Sequence, residues 1–304
     1  MLPQPRHALR DGRPRLPLRL CRVLALLLAA ALLSACSARV FFYNRLDFLI
    51  PWYIEGYVPL DRDQEDRLEA LLDPVLAWHR REELPRYAAL VDEVRRLTAA
   101  DPALPDVTEL AADIEVAWYR LRDRALEALL GLAETLTEAQ VEAFIAELRE
   151  RQAEYEAEYL PRTDEEYRED ALERLEDSLG DYLGRLDDGQ EQRLAVAVAE
   201  LERIDGEWLA VRAAWIERLE EILAKEPGWQ ERLRASVRDW AEWVPESYIA
   251  GTNHNSAVVL SAVTDVLAQR SERQQARLER ELAALERDLG KLMVPAVPSD
   301  TRAP

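Results

Sequence analysis

Glycine is scarce in this 304-residue chain, with ten in all, and no alternating apolar run is joined to another by a hairpin dipeptide. A sheet therefore has little to be built from. Two cysteines, Cys21 and Cys36, allow one bridge at most, so a disulfide-stapled fold is excluded and stability must come from a core. Beyond residue 35 only His79 and His254 remain as histidines, and neither sits in a His-Glu-x-x-His or Glu-x-x-His run. That is no ligand set for zinc or a di-iron centre, and no metal or other cofactor is expected. A Gly-x-Ser-x-Gly elbow and a Gly-Lys-Ser/Thr phosphate loop are both missing, which argues against acyl or phosphoryl transfer. Basic residues are outnumbered 59 to 39, the wrong sign of charge for nucleic acid.

Leu, Ala, Glu and Arg dominate, and all four favour helices. With 48% apolar residues the chain has the material for a core. The expected class is all-α: an elongated multi-helix bundle with long amphipathic helices of coiled-coil character. Between residues 193 and 223 the apolar positions Leu194, Val198, Leu201, Ile204, Trp208, Val211, Trp215, Leu219 and Ile222 step by three and four. They predict one continuous helix over 188–224, about 55 Å long at the usual rise. Breaks are predicted at Asp101–Pro105, at Pro161, at Glu226-Pro227-Gly228 and at Gly251-Thr252-Asn253. Thr252 to Ser256 would then cap a helix from Ala257 to Ala268. Pro74 and Pro85 should kink or interrupt their helices. Residues 294–304, rich in proline and without periodicity, read as a disordered tail.

One pattern recurs: Leu60-Asp61-Arg62-Asp63-Gln64, Leu136-Thr137-Glu138-Ala139-Gln140, Leu186-Asp187-Asp188-Gly189-Gln190 and, less closely, Arg270-Ser271-Glu272-Arg273-Gln274. Each reads as a helix start. Asp61, Thr137, Asp187 and Ser271 cap the first amides, and Gln64, Gln140, Gln190 and Gln274 reach back to the cap residue. The first and third copies are offset by 126 residues. Two readings stand: an internal duplication with units 60–185 and 186–293, or independent reuse of good caps.

The first 35 residues differ from the rest. Six arginines lead into an apolar stretch from Val23 to Leu33, which is too short to span a bilayer and ends in Leu33-Ser34-Ala35-Cys36. This ending looks like a bacterial lipobox. The likeness implies that residues 1–35 are a signal peptide and that Cys36 is the lipid (diacylglycerol and palmitate) attachment point. Acyl chains would then anchor the protein without a membrane-spanning helix. Ser37, rather than aspartate, after the cysteine resembles lipoproteins delivered to the outer membrane. Loss of the leader leaves 33 basic and 58 acidic side chains.

The stretch Val40–Tyr53 together with Trp78–Tyr87 resembles a family of uncharacterised all-helical lipoproteins from proteobacteria, a likeness that implies anchoring and fold but no reaction. Leu136–Gln140 alone is similar to the Leu-Thr-x-x-Gln motif of Spy-like periplasmic chaperones, which bind unfolded clients.

Trp78, His79, Arg80, Arg81, Glu82 and Arg86 form the densest candidate site. It reads either as a recognition patch for carboxylate or phosphate groups or as a clamp of arginine–glutamate pairs around Trp78, and the clamp is the expectation. On a helix His79 and Glu82 would be neighbours on one face. The aromatic stretch Phe41–Tyr57 is expected to pack into the core, the alternative being the membrane interface. The expected role is that of a lipid-anchored envelope protein on the periplasmic face of the outer membrane, with structural or interaction duties toward protein partners. A chaperone-like binder is the alternative, and an envelope enzyme a further one; no small-molecule substrate is evident.

Overall fold

Reciprocal caps divide the chain into helices. A computed structural model describes residues 38–293; the leader, Cys36 and the tail 294–304 lie outside the described residues. The elements are α1 (Ala38–Tyr43), α2 (Leu46–Glu55), α3 (Arg62–Trp78), a π-helical turn (His79–Glu83), α4 (Leu84–Thr98), α5 (Leu104–Ala133), α6 (Glu138–Tyr159), α7 (Asp164–Leu183), α8 (Asp188–Ala199), α9 (Asp205–Leu223), α10 (Trp229–Arg238), a 3-10 turn (Trp240–Glu242), α11 (Glu246–Ala268) and α12 (Glu272–Met293). Among the described residues there is no strand, and the fold is an all-α multi-helix bundle.

Capping boxes open α3 at Asp61, α6 at Thr137 and α8 at Asp187, and Ser271 and Gln274 exchange the same pair of bonds ahead of α12. A fifth box, Thr163 with Glu166, opens α7. The four glutamines do more than cap. Gln64 Nε2 donates to Gln140 Oε1 at 2.9 Å while Gln140 Nε2 donates to Gln64 Oε1 at 2.6 Å. Gln190 and Gln274 make the same reciprocal bonds at 3.2 and 2.7 Å. The second N–H of each amide goes to a carbonyl: Thr135 for Gln64, Pro59 for Gln140, Val266 for Gln190 and Arg185 for Gln274. A primary amide has two donors and two acceptor sites, and each of these amides uses all four. Such satisfaction matters because Gln190 is fully buried and Gln64 and Gln274 nearly so.

Apolar faces close two large cores. One gathers α4, α8, α11 and α12 around Leu84, Leu194, Ala262, Val266 and Leu282, with α1 and α7 packed against it. The other gathers α5, α6, α9 and α10 around Leu130, Ile145, Ile216, Leu219 and Leu233. A smaller cluster, Leu68, Leu72 and Leu132, joins α3 to α5 with α2 alongside. Helix α12 packs along α4, so elements from the two ends of the chain share one core.

The helix predicted over 188–224 is broken. The chain leaves helical geometry after Ala199 and resumes at Asp205, although apolar spacing runs through the gap. The backbone freed there is bonded from α11. Asn255 accepts from the Glu202 amide at 2.9 Å and donates to the Glu202 carbonyl at 2.8 Å, and His254 Nε2 donates to the Glu200 carbonyl at 2.9 Å. Arg203 turns outward from the gap to the Tyr159 and Leu160 carbonyls that end α6. The predicted break at Gly251–Asn253 is likewise absent, since α11 runs unbroken from Glu246 to Ala268. His254 and Asn255 of its polar cluster serve the backbone of the gap rather than a helix start. Gly251 is there because α11 passes so near the gap that a Cβ would lie 2.7 Å from Ile204 Cγ2. Pro74 does not end α3. Pro85 follows the π-helical turn, in which Leu84 donates to the His79 carbonyl five residues back. The widened turn makes room for a proline ring that would clash with the preceding turn and has no N–H to give.

Two consequences can be measured by chemical denaturation. Gln190→Ala and Gln274→Ala should each cost about 2 kcal/mol through a lost cap and an orphaned buried amide. The double variant should cost less than their sum by at least about 0.5 kcal/mol; strict additivity would mean the amides do not depend on each other. Gly251→Ala should destabilise by about 1–3 kcal/mol, because Ile204 is β-branched and cannot easily withdraw.

Candidate functional site

The π-helical turn distributes the side chains of the Trp78–Arg86 segment over three neighbours. Glu83, not singled out from sequence, is completely buried. Arg120 of α5 grips it with a fork: Nε to Oε1 at 2.9 Å and Nη2 to Oε2 at 2.9 Å. Arg86 adds a further charged bond to Oε1. Burial alone would raise the Glu83 pKa, but the bonds and charges of Arg120 and Arg86 outweigh it and hold the carboxyl below its ordinary value of 4.5.

His79 and Arg80 face the other way and hold α1. His79 Nδ1 lies 2.7 Å from the Tyr43 hydroxyl, and its ring also meets Tyr87 edge to face; its bonded partner is thus Tyr43 and not Glu82. Burial lowers the His79 pKa, with Glu83 opposing and Arg80 adding to the depression. Burial likewise raises Tyr43. Near pH 7 the pair is therefore a neutral imidazole hydrogen-bonded to a protonated phenol. Arg80 donates to Asn44 Oδ1 at 2.8 Å and to the Leu292 carbonyl at 3.3 Å, with its guanidinium 4.7 Å from the Tyr43 ring centre. Arg39 of α1 approaches buried Asp288 of α12 at 3.7 Å. Among the described residues Arg81 and Glu82 pair only with each other at the surface, at 3.3 Å, and Trp78 lies beside the Arg124 guanidinium. The named segment thus divides into residues that fasten α1 and α5 (His79, Arg80, Glu83, Arg86) and an exposed pair that fastens nothing. Sequence gave no signal for Arg120, Asn44 or Asp288, which approach from distant parts of the chain.

The aromatic stretch is not packed into the core as expected. Val40, Tyr43, Ile50 and Ile54 face inward. Phe41, Phe42, Phe48, Trp52 and Tyr53 face out, each more than half exposed. A short helix has one inward stripe, and these two helices carry more rings than that stripe can hold. Arg39 and Arg45 lie on the same stretch, with Arg45 over the Phe41 ring. Exposed large apolar residues in a cluster mark an interaction surface more often than isolated ones do.

A further feature lies between helices. An apolar cavity of about 510 Å³ opens among α2, α5, α6, α9 and α10, walled chiefly by leucines and aromatic rings. It adjoins a hollow of about 420 Å³ rimmed by Trp118, Tyr119, Trp215, Trp240 and Trp243. Among the described residues, no three His, Cys, Asp or Glu side chains are grouped as metal ligands, and no helix is long and apolar enough to cross a membrane.

Residues 56–249 match a family of unknown function, DUF6279, and since the match covers well over half of the chain, the chain belongs to that family. No curated protein and no solved structure matches it.

The buried carboxylate makes a pH-dependent prediction. Arg120→Ala should cost about 3 kcal/mol by leaving Glu83 buried with one partner, and Arg81→Ala less than about 0.5 kcal/mol. Because the folded pKa of Glu83 is depressed, its contribution is present above 4.5 and lost as pH falls through the lowered folded value. The stability gap between the parent and Glu83→Gln should therefore shrink in melts taken progressively below pH 4.5.

Proposed function

We propose that this member of an uncharacterised family is a lipid-anchored protein of the cell envelope, held by acyl chains on Cys36 at the periplasmic face of the outer membrane, with a structural or interaction role rather than a catalytic one. The observation that carries this reading is the outward aromatic face of α1 and α2, which begins five residues after Cys36. Rings such as Trp52 and Tyr53 suit the interface between hydrocarbon and headgroups. The acyl chains on Cys36 supply the attachment, and a ring contact of this kind sets how the domain sits on the bilayer. His79 and Arg80 matter here because they fasten α1, and with it the aromatic face, to α12. In this reading the bulk of the acidic chain projects away from the bilayer, where its helices are free to meet protein partners.

A chaperone-like role toward unfolded envelope proteins finds support in one other feature. Helix α5 leaves Ile114, Trp118 and Leu129 about half exposed, and their spacing puts them on one face, an apolar strip of the sort an unfolded segment would contact. It requires that stoichiometric protein suppress aggregation of a reduced model client, and that polar substitutions at Ile114 and Leu129 abolish the effect.

The anchoring reading is tested in cells and on vesicles. Growth with labelled palmitate should mark the parent chain and not Cys36→Ser. On vesicles carrying brominated acyl chains, Trp52 emission should be quenched in the parent and much less so in Phe41→Ser/Phe48→Ser. An unlabelled parent chain contradicts the anchor, and unquenched Trp52 in a labelled chain contradicts the interfacial face.

A further inference from the structure

The cavity among α2, α5, α6, α9 and α10 has walls of nearly pure hydrocarbon, among them Leu126, Leu129, Phe144, Leu219 and Leu223. A methylene fills roughly the volume of a water molecule in the liquid, about 30 Å³. On that measure 510 Å³ has room for a chain of about 17 heavy atoms. The volume is in the ordinary range for a small-molecule site. Its walls are helix faces, whose backbone groups are already bonded within their own helices. A peptide entering it would bring N–H and C=O groups with nothing to bond and would pay their desolvation in full. A methylene chain brings none.

Polarity enters at one end. Arg122 lines both the cavity and the adjoining tryptophan-rimmed hollow, as do Trp118, Trp215 and Val237; the hollow also carries Glu115, whose carboxylate is taken up by the Tyr119 hydroxyl. The Arg122 side chain is 21% exposed, and its bonded carboxylate is the neighbouring Asp123, itself 62% exposed. Nε and Nη2 are used on Asp123 at 2.8 and 2.7 Å; among the described residues the remaining amino group has no hydrogen-bond partner. An adjacent rim pair of this kind is worth little and is easily exchanged for a better anion. The Tyr119 ring beneath the guanidinium, 4.7 Å away, fixes its plane.

We propose that this cavity binds the tail of a single-chain anionic amphiphile, with Arg122 meeting the acidic head at the mouth and the tail running inward past Leu126 toward Leu223. The chemistry is shared by free long-chain fatty acids and by lysophospholipids. The site does not depend on acylation of Cys36, so its test uses the full chain carrying Cys36→Ser.

The probe is a fluorescent polyene fatty acid, displaced in turn by palmitate, palmitoyl lysophosphatidylglycerol and hexadecanol. One probe molecule should bind per chain and be released by palmitate. Ala125→Phe, which fills the cavity, should weaken palmitate by about tenfold or more. Arg122→Gln should weaken palmitate and the lysolipid several-fold while leaving hexadecanol unchanged. Stronger displacement by the lysolipid identifies a membrane-derived ligand, and stronger displacement by palmitate a free acid; either supports the site. Unsaturable probe binding overturns the proposal, as does parent-like affinity for palmitate in both variants. Displacement by an apolar peptide as effective as that by palmitate also overturns it, in favour of client binding.

Discussion

Helix starts are the points at which this bundle is joined, and the glutamine amide is the group that joins them. Each helix N-terminus presents unpaired N–H groups and the positive end of its dipole. Bringing two such ends together is unfavourable unless acceptors come with them. Gln64 with Gln140, and Gln190 with Gln274, supply those acceptors and then bond each other. The fifth capping box, at Thr163, carries Glu166 in the glutamine's place. A carboxylate caps as well as an amide but has no proton to donate. The contrast between four glutamines that pair and one glutamate that does not follows from that difference.

The π-helical turn performs a second kind of joining. The turn accommodates Pro85, and its extra residue separates Glu83, which faces α5, from His79 and Arg80, which face α1 and α12. Burying the Glu83 charge is tolerable only because Arg120 and Arg86 both reach it. The consequence for function is positional. The aromatic face of α1 and α2 is held against the bundle by specific bonds, so whatever it meets is met by a fixed surface rather than a loose arm.

Much of the secondary structure was legible. Helix starts at Asp61, Thr137, Asp187 and Ser271 could be read because a cap is decided within four residues. The ends near Pro102, Pro161 and Pro227 could be read because proline and glycine act locally. The break at 200–204 was hidden, since Leu201 and Ile204 keep the apolar period and the bonds that compensate the gap come from Asn255 and His254. The same two residues misled the reading of their own helix. A polar cluster beside a glycine is what a helix end looks like, and only proximity to Ile204 shows that Gly251 and Asn255 serve another segment. Of the candidate site, the segment could be located but not apportioned: Glu83 was passed over and Arg81 included, because burial is not visible in a run of five charged and polar side chains.

Composition and short-range pattern by themselves determined that the protein is helical, where four of its twelve described helices begin, and that the chain has apolar material enough for a core. These depend on groups a few residues apart, whose geometry the backbone fixes in advance. Tertiary structure alone decided which caps meet, where an apparently continuous helix parts, which aromatic rings face solvent and which glutamate is buried. Those outcomes depend on groups dozens of residues apart, and only the packed chain sets the distance between them.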